Sequence, residues 1–206
     1  MPAKPKIEDF ERVLVVEGHG DLYFYAEMLK KLNKYEGVFI QPIGGKSKLP
    51  VALETFINPG LLGAKTHIGF IVDADDAPEA TRDSLQAKLA ELTGQRVFDG
   101  QWTGGSPKIG LFVVPGGDLK GEIETLVWNS WANDPKNIPS KNCVEGYVAC
   151  MSAAGHHAHS PDKGLIGALL AIRSDEDPRL GPGARRNVFD LARPELQPLR
   201  HFLDGF

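Results

Sequence analysis

Cysteine is scarce: Cys143 and Cys150 are the only two among 206 residues. That excludes a small secreted domain stapled by disulfides. Their seven-residue spacing sets both on one face of a helix, where they are expected to be small core residues. Long apolar runs are also missing. Nothing approaches the ~18 residues of a membrane span, and the opening MPAKPKIEDFER lacks the apolar segment of a signal peptide. A cytoplasmic protein with no membrane contact is the expectation. Positive charge is not in excess either. The formal net charge is −4, so any grip on nucleic acid has to come from a local basic patch. There is no internal repeat and no low-complexity tract.

What is present suits a packed domain with a small appendage: 42% hydrophobic and 24% charged residues. Four apolar runs, VLVV (13–16), GVFIQPI (37–43), HIGFIV (67–72) and IGLFVV (109–114), read as strands. Helical spacing follows the first at 21–34, with Leu22, Tyr25, Met28, Leu29 and Leu32 on one face. Further helices are expected from near Ser47 or Pro50, over 79–92 with a stop near Gly94, and over 121–131. The stretch QRVFDGQWTGGSPK (95–108) reads as an exposed, mobile loop. Trp102, Trp128 and Trp131 are expected mostly as core or helix-packing residues; Trp102, in this loop, has a second reading as a platform for a base, against a loop that is a plain surface excursion. Beyond residue 135 the pattern is helical at 143–154, 163–172 and 194–206, with RSDEDPRLGPGARR (173–186) as a loop. Strands that are apolar throughout, alternating with helices, predict a mostly parallel four-stranded α/β sheet covered on both faces.

In such sheets ligands gather beyond the carboxyl ends of the strands. The first strand ends at Glu17, with Asp21 opening the next helix; the third ends at Asp73, with Asp75 and Asp76 behind it; the fourth leads to Asp118, Glu122 and Glu124. The second leads to a glycine turn and Lys46. Clustered carboxylates resist ionising together, and a divalent cation relieves that repulsion. Oxygen-only donors favour Mg²⁺, Mn²⁺ or Ca²⁺. Any single acid after a strand also reads as a cap or a solvated turn. Asp21 is open between cap and ligand, and Asp76, before Ala-Pro, reads better as a cap. Glu17 fits neither role, because glutamate caps poorly and this one sits directly on a buried strand. GGKS (44–47) ends like a phosphate-binding loop, but Ile40 stands where the first glycine is required, so ATP hydrolysis is rejected. His156, His157 and His159 have no zinc-site spacing. Lys46 and Lys48, with Arg185 and Arg186 later, are the basic clusters.

VLVVEGHGDLYFYAEML and GFIVDADD resemble the two motifs of the TOPRIM fold, strand–Glu-Gly-x-x-Asp–helix and strand–Asp-x-Asp. TOPRIM domains occur in topoisomerases, primases and OLD-family nucleases. IGGKSKLP, IVDADDAPEA and IETLV resemble more closely a family of small stand-alone TOPRIM-like proteins, DUF3226, over nearly the whole chain. The resemblance implies a TOPRIM-like Rossmannoid domain at 1–135 with a helical extension at 136–206 packed on it. It implies Glu17 as general acid/base or metal ligand, Asp73 and Asp75 as the Mg²⁺ (or Mn²⁺) pair, and Asp21 as the motif aspartate. By likeness to OLD-type nucleases, Glu124 serves a second metal, with Asp76 or Asp118 as weaker candidates, and Lys163 supports the scissile phosphate. Lys46, at the same edge, is expected to neutralise phosphate charge. The implied activity is metal-dependent phosphodiester cleavage of DNA or RNA, with an ATPase, if one is used, on a separate chain. Two other readings stand beside it. One is a non-catalytic TOPRIM module that binds nucleic acid or a partner ATPase. The other is an Asp-based phosphotransfer or receiver protein, which leaves Glu-Gly-x-x-Asp unexplained. The chain is too short for a complete topoisomerase and shows no primase extension.

Overall fold

The structure, a computed structural model, describes residues 5–173 and 177–206. Its centre is one sheet of order β2-β1-β3-β5-β4. The strands are β1 (Arg12–Val16), β2 (Val38–Pro42), β3 (His67–Asp73), β4 (Gln101–Trp102) and β5 (Lys108–Val114). The four long strands are parallel, and β4 adds to β5 antiparallel. The sheet therefore has five strands rather than the four expected. The fifth was illegible because two residues, Gln101 and Trp102, carry no periodicity.

Helices α1 (His19–Lys31), α2 (Leu49–Phe56), α3 (Pro59–Leu62), α4 (Pro78–Thr93) and α5 (Ile123–Ala132) connect the strands and follow the last one. Then come α6 (Ile138–Ala153), α7 (Pro161–Arg173), α8 (Leu180–Arg185) and α9 (Gln197–Asp204). The stretch 173–186 thus contains a short helix, not only a loop; residues 174–176 lie outside the described residues. Among the described residues no helix is long and apolar enough to cross a membrane.

Strands β1, β3 and β5 each feed two cores. Leu14 and Val16 pack with α1, α5, α7, α8 and α9 on one face, while Val13 and Val15 pack with α2 and α4 on the other. Alternate side chains leave a strand on opposite faces, so burial on both explains its unbroken apolar run. Gly69 and Gly110 are paired across β3 and β5. A Cβ on Gly110 would stand 2.8 Å from both Trp102 and Phe202, and one on Gly69 would stand 2.9 Å from Phe206. The two glycines form a hollow that takes these rings. Trp102 stacks on Phe202 at 4.9 Å and 11°, and its Nε1 donates to the Phe202 carbonyl at 2.8 Å. Trp102 is therefore a packing residue pinning α9, not a loop aromatic. The cysteines depart from expectation in the opposite sense: both are free and exposed. Helix α6 buries only Val144, so a position on it does not imply a place in the core.

Candidate metal centre

The chain runs from β1 to β2 on one side and reaches β3 on the other, so strand order reverses between β1 and β3. That crevice is where open α/β sheets hold ligands. Glu17 is the first residue past β1, and Asp73 is the last of β3. They are joined directly: Glu17 Oε1 accepts the Asp73 backbone N–H at 3.0 Å. Asp73 Oδ1 in turn accepts from the N–H of Ile123, the first residue of α5, at 3.2 Å. An anion there also meets the positive end of that helix.

Asp21 sits in the first turn of α1, and its Oδ2 accepts from the Gly18 N–H at 2.8 Å. The capping contact occupies one oxygen of Asp21 and leaves the other for a ligand role. Glu124 lies in the first turn of α5, its side chain 13% exposed, with Lys163 Nζ at 3.2 Å from α7. Glu122 also holds the Lys163 ammonium and accepts from the Ser160 hydroxyl. Glu122 was named on the sequence only as a neighbour of Glu124, and Glu-x-Glu opening a helix was the signal for it. Thr125 secures the turn, its hydroxyl taking the Glu122 N–H at 3.1 Å and donating to Asp162.

Four carboxylates from three helix and strand junctions thus feel one another. Burial pushes the Asp73 carboxyl well above the usual range, with the charges of Asp21, Glu17 and Glu124 adding and Lys163 opposing. Burial likewise raises Glu17, against the Asp73 N–H and Lys46. It raises Asp21, against the Gly18 N–H and Lys163. It raises Glu124 too, against Lys163. Burial pulls the Lys163 ammonium down, but its bonds to Glu122 and the charges of Glu124 and Glu122 outweigh that and leave it raised.

A DUF3226 model, described as a protein of unknown function, matches residues 11–206. The chain belongs to the DUF3226 family. No curated protein matches it. Among solved structures, the C-terminal region of the OLD protein of Xanthomonas campestris pv. campestris is similar, at 13% identity, with 95% of each chain covered and a TM-score of 0.49.

The other acids of this DUF3226 chain are placed differently. Asp75, at φ +53°, pairs with Gly121 through two backbone hydrogen bonds of 2.9 and 2.7 Å. Its side chain is taken by Lys46 Nζ at 2.6 Å. The same ammonium reaches the Asp73 carbonyl at 3.1 Å, so Lys46 latches the β2–α2 turn onto the end of β3. Asp118 is 92% exposed and pairs with Arg82 at 3.2 Å. Asp76 and Asp118 border a surface hollow with Glu79. His156, His157 and His159 are exposed. Among the described residues, no three His, Cys, Asp or Glu side chains stand together as a ready set of metal ligands. The four half-buried acids are neighbours, each with an oxygen to spare. By donor type they fit a hard divalent cation, which wants oxygen ligands and offsets their mutual repulsion.

Proposed function

We propose that this chain is a TOPRIM-like, Mg²⁺- or Mn²⁺-dependent phosphodiesterase acting on DNA or RNA. One observation carries the reading: Glu17, Asp21, Asp73 and Glu124 are gathered at the strand-order reversal, where burial raises all four and the charges of Asp21, Glu17 and Glu124 add to that rise at Asp73. The Glu-Gly-x-x-Asp and Asp-x-Asp motifs support it. So does Lys163 reaching the acids of α5 from α7, which favours a TOPRIM-like unit at 1–135 completed by an extension at 136–206.

Glu17 and Asp73 would hold the cation, with Asp21 and Glu124 as further donors. A bound Mg²⁺ or Mn²⁺ supplies Lewis-acid polarisation of a phosphoryl oxygen and lowers the pKa of an attacking water. The chain's own residues set the rest. The Asp73 N–H fixes Glu17 for proton transfer at its free oxygen. The α5 N-terminus holds Asp73. Lys163 pairs with Glu122 and Glu124, opposing the rise at Glu124, and stands where it can also meet a phosphate.

A partner-dependent module is the second reading, and one observation favours it. Both lysines are engaged by carboxylates, Lys46 by Asp75 and Lys163 by Glu122 and Glu124. Nucleic acid or a separate ATPase chain would then have to rearrange these pairs before phosphate is bound.

The test is a Mn²⁺ titration of wild type and Asp73→Asn, followed by nicking assays on plasmid DNA and an RNA transcript. The catalytic reading expects Mn²⁺-dependent cleavage abolished by Glu17→Gln. Nucleic-acid binding that survives Glu17→Gln, with no cleavage by wild type, selects the module reading. Absence of Mn²⁺ binding by wild type removes the cation site.

A further inference from the structure

Tyr25 stands four residues after Asp21 on α1, so the two side chains share one helix face. By spacing it passes for an ordinary apolar contact, and its ring behaves as one. It is 2% exposed and lies edge-on to Phe24 at 5.6 Å. The hydroxyl behaves differently. It has no hydrogen-bond partner among the described residues, although buried tyrosines usually find one. Nor is it a sealed orphan: among the described residues the sealed side-chain atoms lacking partners are Arg193 Nε and Glu195 Oε2. Part of the little surface that Tyr25 exposes therefore lies at its oxygen.

A long side chain on a helix leans back over the preceding turn, so Tyr25 leans toward Asp21 and the acid site. Burial, and then the charges of Asp21, Asp73, Glu124 and Glu17, hold the phenol proton well above its usual range. The acids lack such a donor. Backbone N–H groups fix one oxygen each of Asp21, Glu17 and Asp73. The second oxygen of each has none, and an ionised carboxylate only accepts. Carboxylates that hold a metal are themselves usually oriented by an outer hydrogen bond.

We propose that Tyr25 is a positioning residue of the acid site, its hydroxyl donating to the free oxygen of a carboxylate that holds the divalent cation. This rests on the cation reading above. It assigns a role to the second tyrosine of DLYFY that neither motif contains.

The test compares wild type, Tyr25→Phe and Asp73→Asn, metal-free and across a Mn²⁺ titration read by melting temperature and calorimetry. Tyr25→Phe keeps the ring and removes an oxygen that has no partner in the metal-free protein. It is expected to melt at or above wild type without Mn²⁺ and to bind Mn²⁺ about 10- to 100-fold more weakly. Wild-type affinity in Tyr25→Phe overturns the inference and leaves the cation site standing. A lower metal-free melting temperature with unchanged affinity overturns it too, marking a purely structural tyrosine. Failure of wild type itself to bind Mn²⁺ removes the cation reading, and this inference with it.

Discussion

Asp73→Asn is expected to stabilise the metal-free protein near neutral pH. The carboxyl is raised well above its ordinary 3.8 by burial and by three neighbouring acids, so the folded state resists its ionisation. Protonated in both states, the group costs nothing below the unfolded pKa. As pH rises from there through the folded pKa, the unfolded chain releases its proton first and stability falls. Above the folded pKa the penalty is complete, at about 1.4 kcal/mol for each unit by which the folded value exceeds the unfolded one. Asparagine removes the charge and keeps an oxygen to accept from Ile123. In a chain of this size each kcal/mol moves the melting temperature by about 2–4 °C. The variant should therefore melt at least about 2 °C above wild type near pH 7 and converge with it near pH 3. Mn²⁺ should reverse the order. At a hundred times Kd a bound ion adds about 2.7 kcal/mol, or about 5–11 °C, to wild type and nothing to the variant. Differential scanning calorimetry across pH, with and without Mn²⁺, reads both effects. A variant that melts below wild type near pH 7, or an offset that persists near pH 3, would falsify the account of mutual repulsion.

Glu17→Gln should leave the melting temperature within a few degrees, because the amide oxygen still accepts the Asp73 N–H. Any Mn²⁺-dependent nicking should drop at least about a hundredfold, the scale of a lost acid–base group. Lys163→Ala strands Glu122 and Glu124; with the lysine side chain 41% exposed, solvent screening limits the loss to about 1–2 kcal/mol, read by urea unfolding. Trp102→Ala should cost about 3–5 kcal/mol in the same measurement, because it empties the hollow above Gly69 and Gly110 and frees α9. Cys143 and Cys150 should both react with a thiol reagent in the native protein, without the lag that unfolding would impose, as mass spectrometry can follow.

The parallel sheet was legible because both-face burial writes itself as apolar runs, and VLVV is split between two cores in the structure. The acids were legible because they follow those runs directly. The mode of attachment was not. That Asp21 caps Gly18 while Asp75 is turned to Lys46 depends on contacts between segments far apart in the chain. The misreadings share a cause. The stretch around Trp102 and the cysteines were judged from their own neighbourhoods, whereas burial is decided by what packs across. The glycines of β3 and β5 make room for Trp102, and among the described residues nothing covers the outer side of α6. Tyr25 escaped notice because a tyrosine at an apolar helical position matches the pattern of a core residue, and its oxygen has no signature in spacing.

The paired backbone bonds between Asp75 and Gly121 also determine where this chain can tolerate change. They join the segment after β3 to the start of α5, and the Ala74 N–H donates to the Val114 carbonyl at 2.7 Å, so both ends of the β5–α5 connection are held close to the acids. Only its tip is unconstrained by them, and Gly117, Asp118, Leu119 and Lys120 are all exposed. Added length between Leu119 and Lys120 would bulge outward, leaving Asp73, Glu122 and Glu124 in register. One residue added between Gly121 and Glu122 would rotate α5 against the strand it completes. The connection is thus a graft site and a forbidden site within three residues of each other, which makes it a natural place to splice a reporter or a tethered partner beside the acids without rebuilding them.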